Sequence, residues 1–431
     1  MKMLRPSLFL LVIVVCLPAC RGKRPEFTAD GRVLVEFWHA MGGPLGEVLE
    51  TMVGEFNQQH PDIHVESISM GNYDTLQKKI LASVVAGESP DISQNFEALT
   101  LRMARAGKLV QLESLLADES GGIARLKADI IPVLLKNNTY DGKLWSFPFN
   151  KSVPVLYYNK DLFRAAGLDP GHPPETIDEM HDYARQLTTD RDGDGVPEVY
   201  GYAFNQANSW LFECRLLQCG GELIAPDHRS VSYDNDAGAR ALDFNLRFLR
   251  EKTGYAAQGF DHQNDFISQR VAMIEGSIVS RVYMERKLTF DFGVAPIACD
   301  RRKAVVISGT NINVFDNGSP RKVAAAVEFI KWFTGTDQGV TWSLGTTYVP
   351  VRRSSLTAPR MLAAFQKDPS LRSPYAQLDY ATFEPRLQAW YYCRDTLTDA
   401  LDQAFIERGD PRRYLARATR EINDILQSAE E

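Results

Sequence analysis

Within the first ninety residues, strand and helix patterns alternate, and that order restricts the fold more than any other feature. Val33, Val35 and Phe37 alternate with Arg32, Leu34 and Glu36, the two-residue period of a strand. Gly42, Gly43 and Pro44 open a helix, with Pro44 suited to its first turn. Leu45, Val48, Leu49, Met52, Val53 and Phe56 follow at helical spacing, so one face is predicted to be buried, and His60-Pro61-Asp62 ends the run. Residues 63–68 read as a second strand. Leu76, Ile80, Leu81, Val84 and Val85 mark another amphipathic helix, stopped at Gly87. This β-α-β-α order predicts the α/β class, a mostly parallel sheet with helices packed on its faces.

The remaining 340 or so of the 431 residues extend the pattern, and the length suffices for two domains with real cores. Residues 143–158 form an apolar, aromatic, proline-broken segment that suits an extended passage from one domain to the next. Residues 178–187, 237–249 and 321–333 read as helices, residues 199–204 and 290–297 as strands, and residues 305–315 as a second extended passage. Leu397, Ala400, Leu401, Ala404 and Phe405 form one late helical stripe, and Leu415, Ala418, Ile422, Ile425 and Leu426 another. Apolar residues make up 44% and charged residues 24%, the balance of a soluble globule. The net charge of −7 argues against nucleic acid as a partner, which would call for a basic surplus.

The N-terminus predicts export. Lys2 and Arg5 precede an apolar run from Leu8 to Leu17, too short to span a bilayer, and Leu17-Pro18-Ala19-Cys20 follows. This ending resembles a bacterial lipoprotein signal, which implies a signal peptide over residues 1–19 and lipidation at Cys20. Residues 20–30 would then be a tether, and the protein would be exported and anchored to the cell envelope, in the periplasm or on the outer face of the cytoplasmic membrane. Outside the cytoplasm Cys214, Cys219, Cys299 and Cys393 have the chance to form disulfides, with Cys214 and Cys219 the nearest pair.

No catalytic set stands out: there is no Gly-x-Ser-x-Gly elbow, no His-Glu-x-x-His and no phosphate loop. Aromatics do sit at predicted loop and strand ends, namely Trp38, Tyr73, Trp145, Tyr157, Trp210, Trp342 and Tyr348. Aromatic faces beside hydrogen-bonding groups hold sugar rings, although any one of these residues is also a natural core residue. Asp190, Asp192, Asp194 and Gly195 match the start of a calcium loop, but Gly201 stands where the bidentate Glu belongs. A structural calcium site or a solvated acidic turn both fit. Apart from this possible calcium, no cofactor is expected.

Several stretches, in order, resemble the extracellular solute-binding proteins of bacterial ABC importers, the family-1 group that includes maltose and glycerol-3-phosphate binders. They are Phe37-Trp38-His39-Ala40-Met41-Gly42-Gly43, Phe56-Asn57 leading to His60-Pro61, Gly71-Asn72-Tyr73, and Gly87-Glu88-Ser89-Pro90-Asp91-Ile92. The most telling is Pro148-Phe149-Asn150-Lys151-Ser152-Val153-Pro154-Val155-Leu156-Tyr157-Tyr158-Asn159-Lys160, followed by Ala166-Gly167-Leu168-Asp169-Pro170 and Tyr348-Val349-Pro350. The resemblance implies a two-lobed periplasmic binding protein fold of type II, with a ligand cleft between lobes joined by crossing strands. Lobe 1 would comprise residues 31–145 plus 305–350, and lobe 2 residues 146–304 plus 351–431.

By the same resemblance the protein would be a monomer that is not an enzyme. It would capture a carbohydrate or a glycerol-3-phosphate-like polyol and deliver it to the transmembrane subunits of an ABC permease. Tyr73, Glu97, Ser152, Ser277, Gly309, Tyr348 and Arg394 would be its ligand positions, joined by the aromatics Trp38 and Trp210. Lys151 departs from the family pattern, where a small polar residue is usual, as does Gln269, where glycine is usual. A secreted carbohydrate-active enzyme, or an importer component for a peptide or polyamine, is the alternative; the enzyme would need two carboxylates flanking the scissile bond.

Overall fold

The structure is a computed structural model that describes residues 24–116, 122–206 and 208–429. The signal segment and Cys20 lie outside the described residues. The first sheet has five strands in the order Ile63–Ser69, Val33–His39, Ile92–Asn95, Ser308–Val314 and Phe147–Ser152. Val33–His39 pairs parallel with both its neighbours, whereas Ser308–Val314 runs antiparallel to Ile92–Asn95 and to Phe147–Ser152. The second sheet orders Phe292–Pro296, Pro154–Asn159, Val271–Ser277, Tyr200–Asn205 and Gly254–Ala257.

The predicted helices form where an apolar stripe is buried, against a sheet or against another helix. Gly43–Gln59 buries Leu45, Leu49, Met52, Val53 and Phe56. Tyr73–Ala86 starts where the Asn72 side chain accepts the Thr75 N–H at 2.9 Å, and ends at Gly87 in the left-handed conformation. Ile177–Leu187 carries a reciprocal cap between Thr176 and Glu179. The last two helices, Trp390–Glu407 and Pro411–Ser428, pack on the second sheet's helical layer through Leu397, Leu401, Leu415 and Ile422.

Each half also buries an ion pair, Lys322 with Asp91 at 2.8 Å in the first and Arg215 with Glu275 in the second. The Tyr202 hydroxyl donates to Glu275 at 3.1 Å, so the second pair is hydrogen-bonded as well as charged.

The chain passes between the sheets at Val153, the single residue separating Phe147–Ser152 from Pro154–Asn159. It returns at Ile307, between Val305–Val306 and Ser308–Val314. A third passage, Ala381–Thr382, pairs parallel with Val305–Val306. Phe147–Ser152 therefore belongs to the first sheet, although the sequence division at residue 145 put it in the second lobe; its backbone partner is Ser308–Val314.

Cys214, Cys219, Cys299 and Cys393 are all free thiols, so none of the pairings that the sequence left open is present. Burial pushes the Cys214 thiol up to about 12, so it behaves as a small apolar side chain. Among the described residues no helix is long and apolar enough to cross a membrane.

A candidate ligand cleft between the two sheets

A cavity of about 750 Å³ opens between the sheets, within the size range of small-molecule sites. Tyr73, Ser152, Ser277, Gly309 and Tyr348 all line it, so five of the predicted positions converge on one space. They come from both halves. Tyr73 begins the helix capped by Asn72, Ser152 ends a first-sheet strand, and Ser277 ends a second-sheet strand. Phe260 and Tyr283 stand exposed on the second side, and Met41 and Gly42 face them from the first.

Asn150 organises this wall, and its role had no sequence signal beyond its place in the family-like stretch. Its side-chain N–H groups donate to the Tyr73 and Tyr348 hydroxyls, each at 3.0 Å. Its carbonyl oxygen accepts the Thr310 backbone N–H at 3.0 Å, which fixes the orientation of the amide. Behind Tyr348 the Trp342 ring stacks at 5.8 Å and 7°, so the tyrosine face is held rigidly. Trp342 itself is core. Tyr157 is likewise fully buried, with its hydroxyl hydrogen-bonded to the Ser277 carbonyl at 2.8 Å.

Gly309 sits at φ +99°, in the region that favours glycine, and a Cβ there would lie 1.9 Å from the Asn150 carbonyl oxygen. The close approach lets the crossing strand carry the cavity wall against Asn150 and Lys151.

Glu97 and Arg394 line a second, smaller hollow of about 160 Å³, and Phe96 lines both spaces. Glu97 opens the helix Glu97–Arg105, where the helix dipole favours a carboxylate. Lys151 reaches it at 2.7 Å and also donates to Asn137 at 2.9 Å and to the Gly309 carbonyl at 3.4 Å. Burial alone would raise the Glu97 carboxyl, but the Lys151 ammonium together with the backbone and Asn137 hydrogen bonds outweighs it and holds the carboxyl below its ordinary value. Arg394 pairs with Glu384 at 3.4 Å. Behind them Glu213 is fully buried; burial first, then the Glu384 charge, pushes its carboxyl well up, and burial raises the Glu384 carboxyl too.

Two predicted aromatics are elsewhere. Trp38 is buried among Leu76, Ile80, Leu99 and Met103, with Arg24 over its face at 4.9 Å, and is a core residue. Trp210 directs its indole N–H to the Val306 carbonyl at 2.7 Å and packs on the second core, so it braces the returning strand instead of lining either hollow.

Asp190, Asp192 and Asp194 do bring carboxylate oxygens within 4.8 Å of one another, the hard-oxygen set that suits calcium. All three are exposed, and both oxygens of Asp190 already accept backbone N–H groups, from Gly193 and Gly195.

A family model described as bacterial extracellular solute-binding protein matches residues 51–373, three quarters of the chain. The chain belongs to that family. Among its relatives, the sn-glycerol-3-phosphate-binding periplasmic protein of Shigella dysenteriae is 25% identical over 426 residues, covering 93% of this chain and 94% of the relative.

Two solved structures share the fold of this solute-binding protein. The cyclic alpha-maltosyl-1,6-maltose binding protein of Arthrobacter globiformis superposes with a TM-score of 0.79 at 24% identity, covering 93% of this chain and all of that one. UgpB of Mycobacterium tuberculosis, in complex with glycerophosphocholine, gives 0.80 at 21% identity, covering 92% and 99%. The two-lobed expectation thus holds.

Proposed function

We propose that this solute-binding protein captures a carbohydrate or a glycerol-3-phosphate-like polyol in the cleft and delivers it to the permease of an ABC importer. In this reading it works as a monomer, without catalysis, and a lipid on Cys20 holds it to the cell envelope. The observation that carries the reading is the convergence of Tyr73, Tyr348, Ser152 and Ser277 on one cavity of about 750 Å³ shared by the two sheets. Aromatic faces suit the C–H surfaces of a sugar ring, and the hydroxyls suit its rim.

Two further points support it. The Shigella relative is named for sn-glycerol 3-phosphate, and the structural neighbours for a cyclic maltosyl-maltose and in complex with glycerophosphocholine. Glu97 is tied to Lys151 and kept ionised, which suits a hydrogen-bond acceptor and not the raised-pKa general acid that a glycosidase needs.

The test is the melting temperature of the purified protein with maltose, maltotriose, glycerol 3-phosphate and glycerophosphocholine. Ligand at a hundredfold excess over Kd stabilises by about 2.7 kcal/mol, which is readily seen. No shift with any of them, together with a shift from spermidine or a peptide, would replace this reading with the peptide or polyamine importer.

A further inference from the structure

Two cations stand beside the smaller hollow, and each already has a carboxylate partner. Lys151 is 1% exposed and directs its ammonium to Glu97, Asn137 and the Gly309 carbonyl, three acceptors for its three N–H donors. It presents nothing to a ligand. Arg394 is 38% exposed and meets Glu384 at 3.4 Å, its Nε has no partner among the described residues, and burial raises the Glu213 carboxyl behind it. Each of the two cations is therefore matched by one carboxylate: Lys151 by Glu97, and Arg394 by Glu384. Arg102 and Lys287 also touch the two hollows, but both are exposed and solvated.

A phosphate ester placed here would meet no surplus buried positive charge, and it would lie near the Glu97 and Glu384 carboxylates. Phosphate is held most strongly by cationic donors that are not already committed to a carboxylate, and like charges in a low-dielectric cleft repel. A neutral hydroxyl has the opposite experience. Glu97 remains 20% exposed on the wall of the hollow, pinned by Lys151 and by the Asn311 amide at 3.3 Å, and an ionised, oriented carboxylate is a strong acceptor for O–H donors.

We propose that Lys151 is a specificity-determining residue: by pairing with Glu97 it makes the smaller hollow, which meets the cleft at Phe96, select the uncharged hydroxyls of a carbohydrate over a phosphate ester. This rests on the ligand-capture reading above and narrows it. Lys151 acts through Glu97, so it is a positioning residue. The charged or titratable groups around Glu97 are Lys151 on the strand Phe147–Ser152, Tyr140, whose hydroxyl donates to the Glu97 carbonyl at 3.2 Å, and Glu384 with Arg394 across the hollow. Without Lys151 the main influence that lowers the Glu97 carboxyl is gone, while burial still raises it and the backbone and Asn137 hydrogen bonds still lower it, so the carboxyl moves up.

Titration calorimetry on the purified protein tests this with matched probes: glucose against glucose 6-phosphate, and maltose and maltotriose against glycerol 3-phosphate. Neutral sugars are expected to bind at least about tenfold tighter than the phosphate esters, with little change between pH 6 and 8. In Lys151→Met and Lys151→Gln the same sugar loses about tenfold at pH 6, and the loss shrinks as pH rises. Glu97→Gln/Lys151→Met removes both charges; it is expected to fold and to bind weakly without the pH slope, which keeps the test valid where the single variant does not fold.

Equal or tighter binding of glycerol 3-phosphate by the unaltered protein overturns the inference while leaving the ligand-capture reading intact. So does a pH-independent loss in the Lys151 variants. No binding of either class brings down the ligand-capture reading, and this inference with it.

Discussion

The Ser152 and Ser277 hydroxyls lie 2.6 Å apart, one at the end of a strand in each sheet. They form a hydrogen bond from one half of the molecule to the other on the cavity wall. A sugar hydroxyl inserted here would exchange that bond for two of its own. Ser152→Ala and Ser277→Ala are each expected to weaken sugar affinity about fivefold to tenfold, the size of one net hydrogen bond, with melting temperature nearly unchanged. A large fall in melting temperature without loss of affinity would assign the pair to structure alone.

Asn150 is the opposite case, a residue on which wall and stability depend together. Asn150→Leu strands the buried Thr310 N–H and frees both tyrosine hydroxyls. A destabilisation of about 1–3 kcal/mol is expected, along with weaker binding. Tyr73→Phe keeps the ring and loses one of those contacts, so its stability should stay within about 1 kcal/mol of the parent. Chemical denaturation of the two variants side by side distinguishes them, and equal losses would refute the assignment.

Gly309→Ala meets both a left-handed backbone and the Asn150 carbonyl at 1.9 Å. The strained conformation alone costs about 1–3 kcal/mol, and the strand must also shift to relieve the clash. The expected result is a marked fall in melting temperature and lost ligand response. A variant that melts and binds like the parent would show that the crossing strand has room to move.

Acid sensitivity should begin near pH 6.5. Burial pushes His181 down to about 3, and His39 and His262 down to about 4. Between those values and 6.5 the unfolded chain binds more protons than the folded one, so stability rises with pH and is lost as pH falls through this window. Each histidine contributes at most about 1.4 kcal/mol per pH unit. His181 packs on Phe248 at 4.1 Å, and its Nδ1 lacks a hydrogen-bond partner, so His181→Phe should flatten the profile measured by denaturant melts from pH 4.5 to 7.5. An unchanged slope would rule out His181 as a contributor.

Trp38 and Tyr73 separate core from cleft. Trp38→Leu is expected to lower stability by about 1–3 kcal/mol while leaving affinity unchanged, because the ring faces Leu76 and Ile80. Tyr73→Ala is expected to lose affinity by more than its loss of stability accounts for. Reversal of that order, read by calorimetry and denaturation, would exchange their roles.

How far the sequence showed these features depended on range. The helices Gly43–Gln59 and Pro411–Ser428 were legible because a buried stripe at helical spacing is written within one segment. The strand pattern at Val33–His39 was legible for the same reason. The passage Ala381–Thr382 was not, since two residues carry no period and their partner lies at Val305–Val306.

The site divides along the same line. Tyr73, Ser152, Ser277, Gly309 and Tyr348 were reached through family likeness, and the structure gathers them on one cavity. Asn150 and Lys151 stood in the same stretch without any sign of their partners, because Tyr348 is 198 residues from Asn150 and Glu97 is 54 from Lys151. Trp38 and Trp210 showed the converse. An aromatic at a strand or loop end looks identical whether its ring meets ligand, Leu76 or the Val306 carbonyl.

Only Val153 separates a strand of one sheet from a strand of the other, and its carbonyl is already bonded to the Ile278 N–H at 3.0 Å. Pro154 follows, with its φ locked. The pivot is therefore short and stiff, and displacement during any rotation of one half against the other grows with distance from it. Groups at the fulcrum, Ser152 and Gly309, would keep nearly the same geometry throughout the swing. Groups at the far rim, such as Tyr391 and Asp74, now 3.5 Å apart across the gap, would travel furthest. A ligand held at Ser152 and Gly309 would thus meet the same contacts throughout the swing, while a surface that spans Asp74 and Tyr391 would change shape with it.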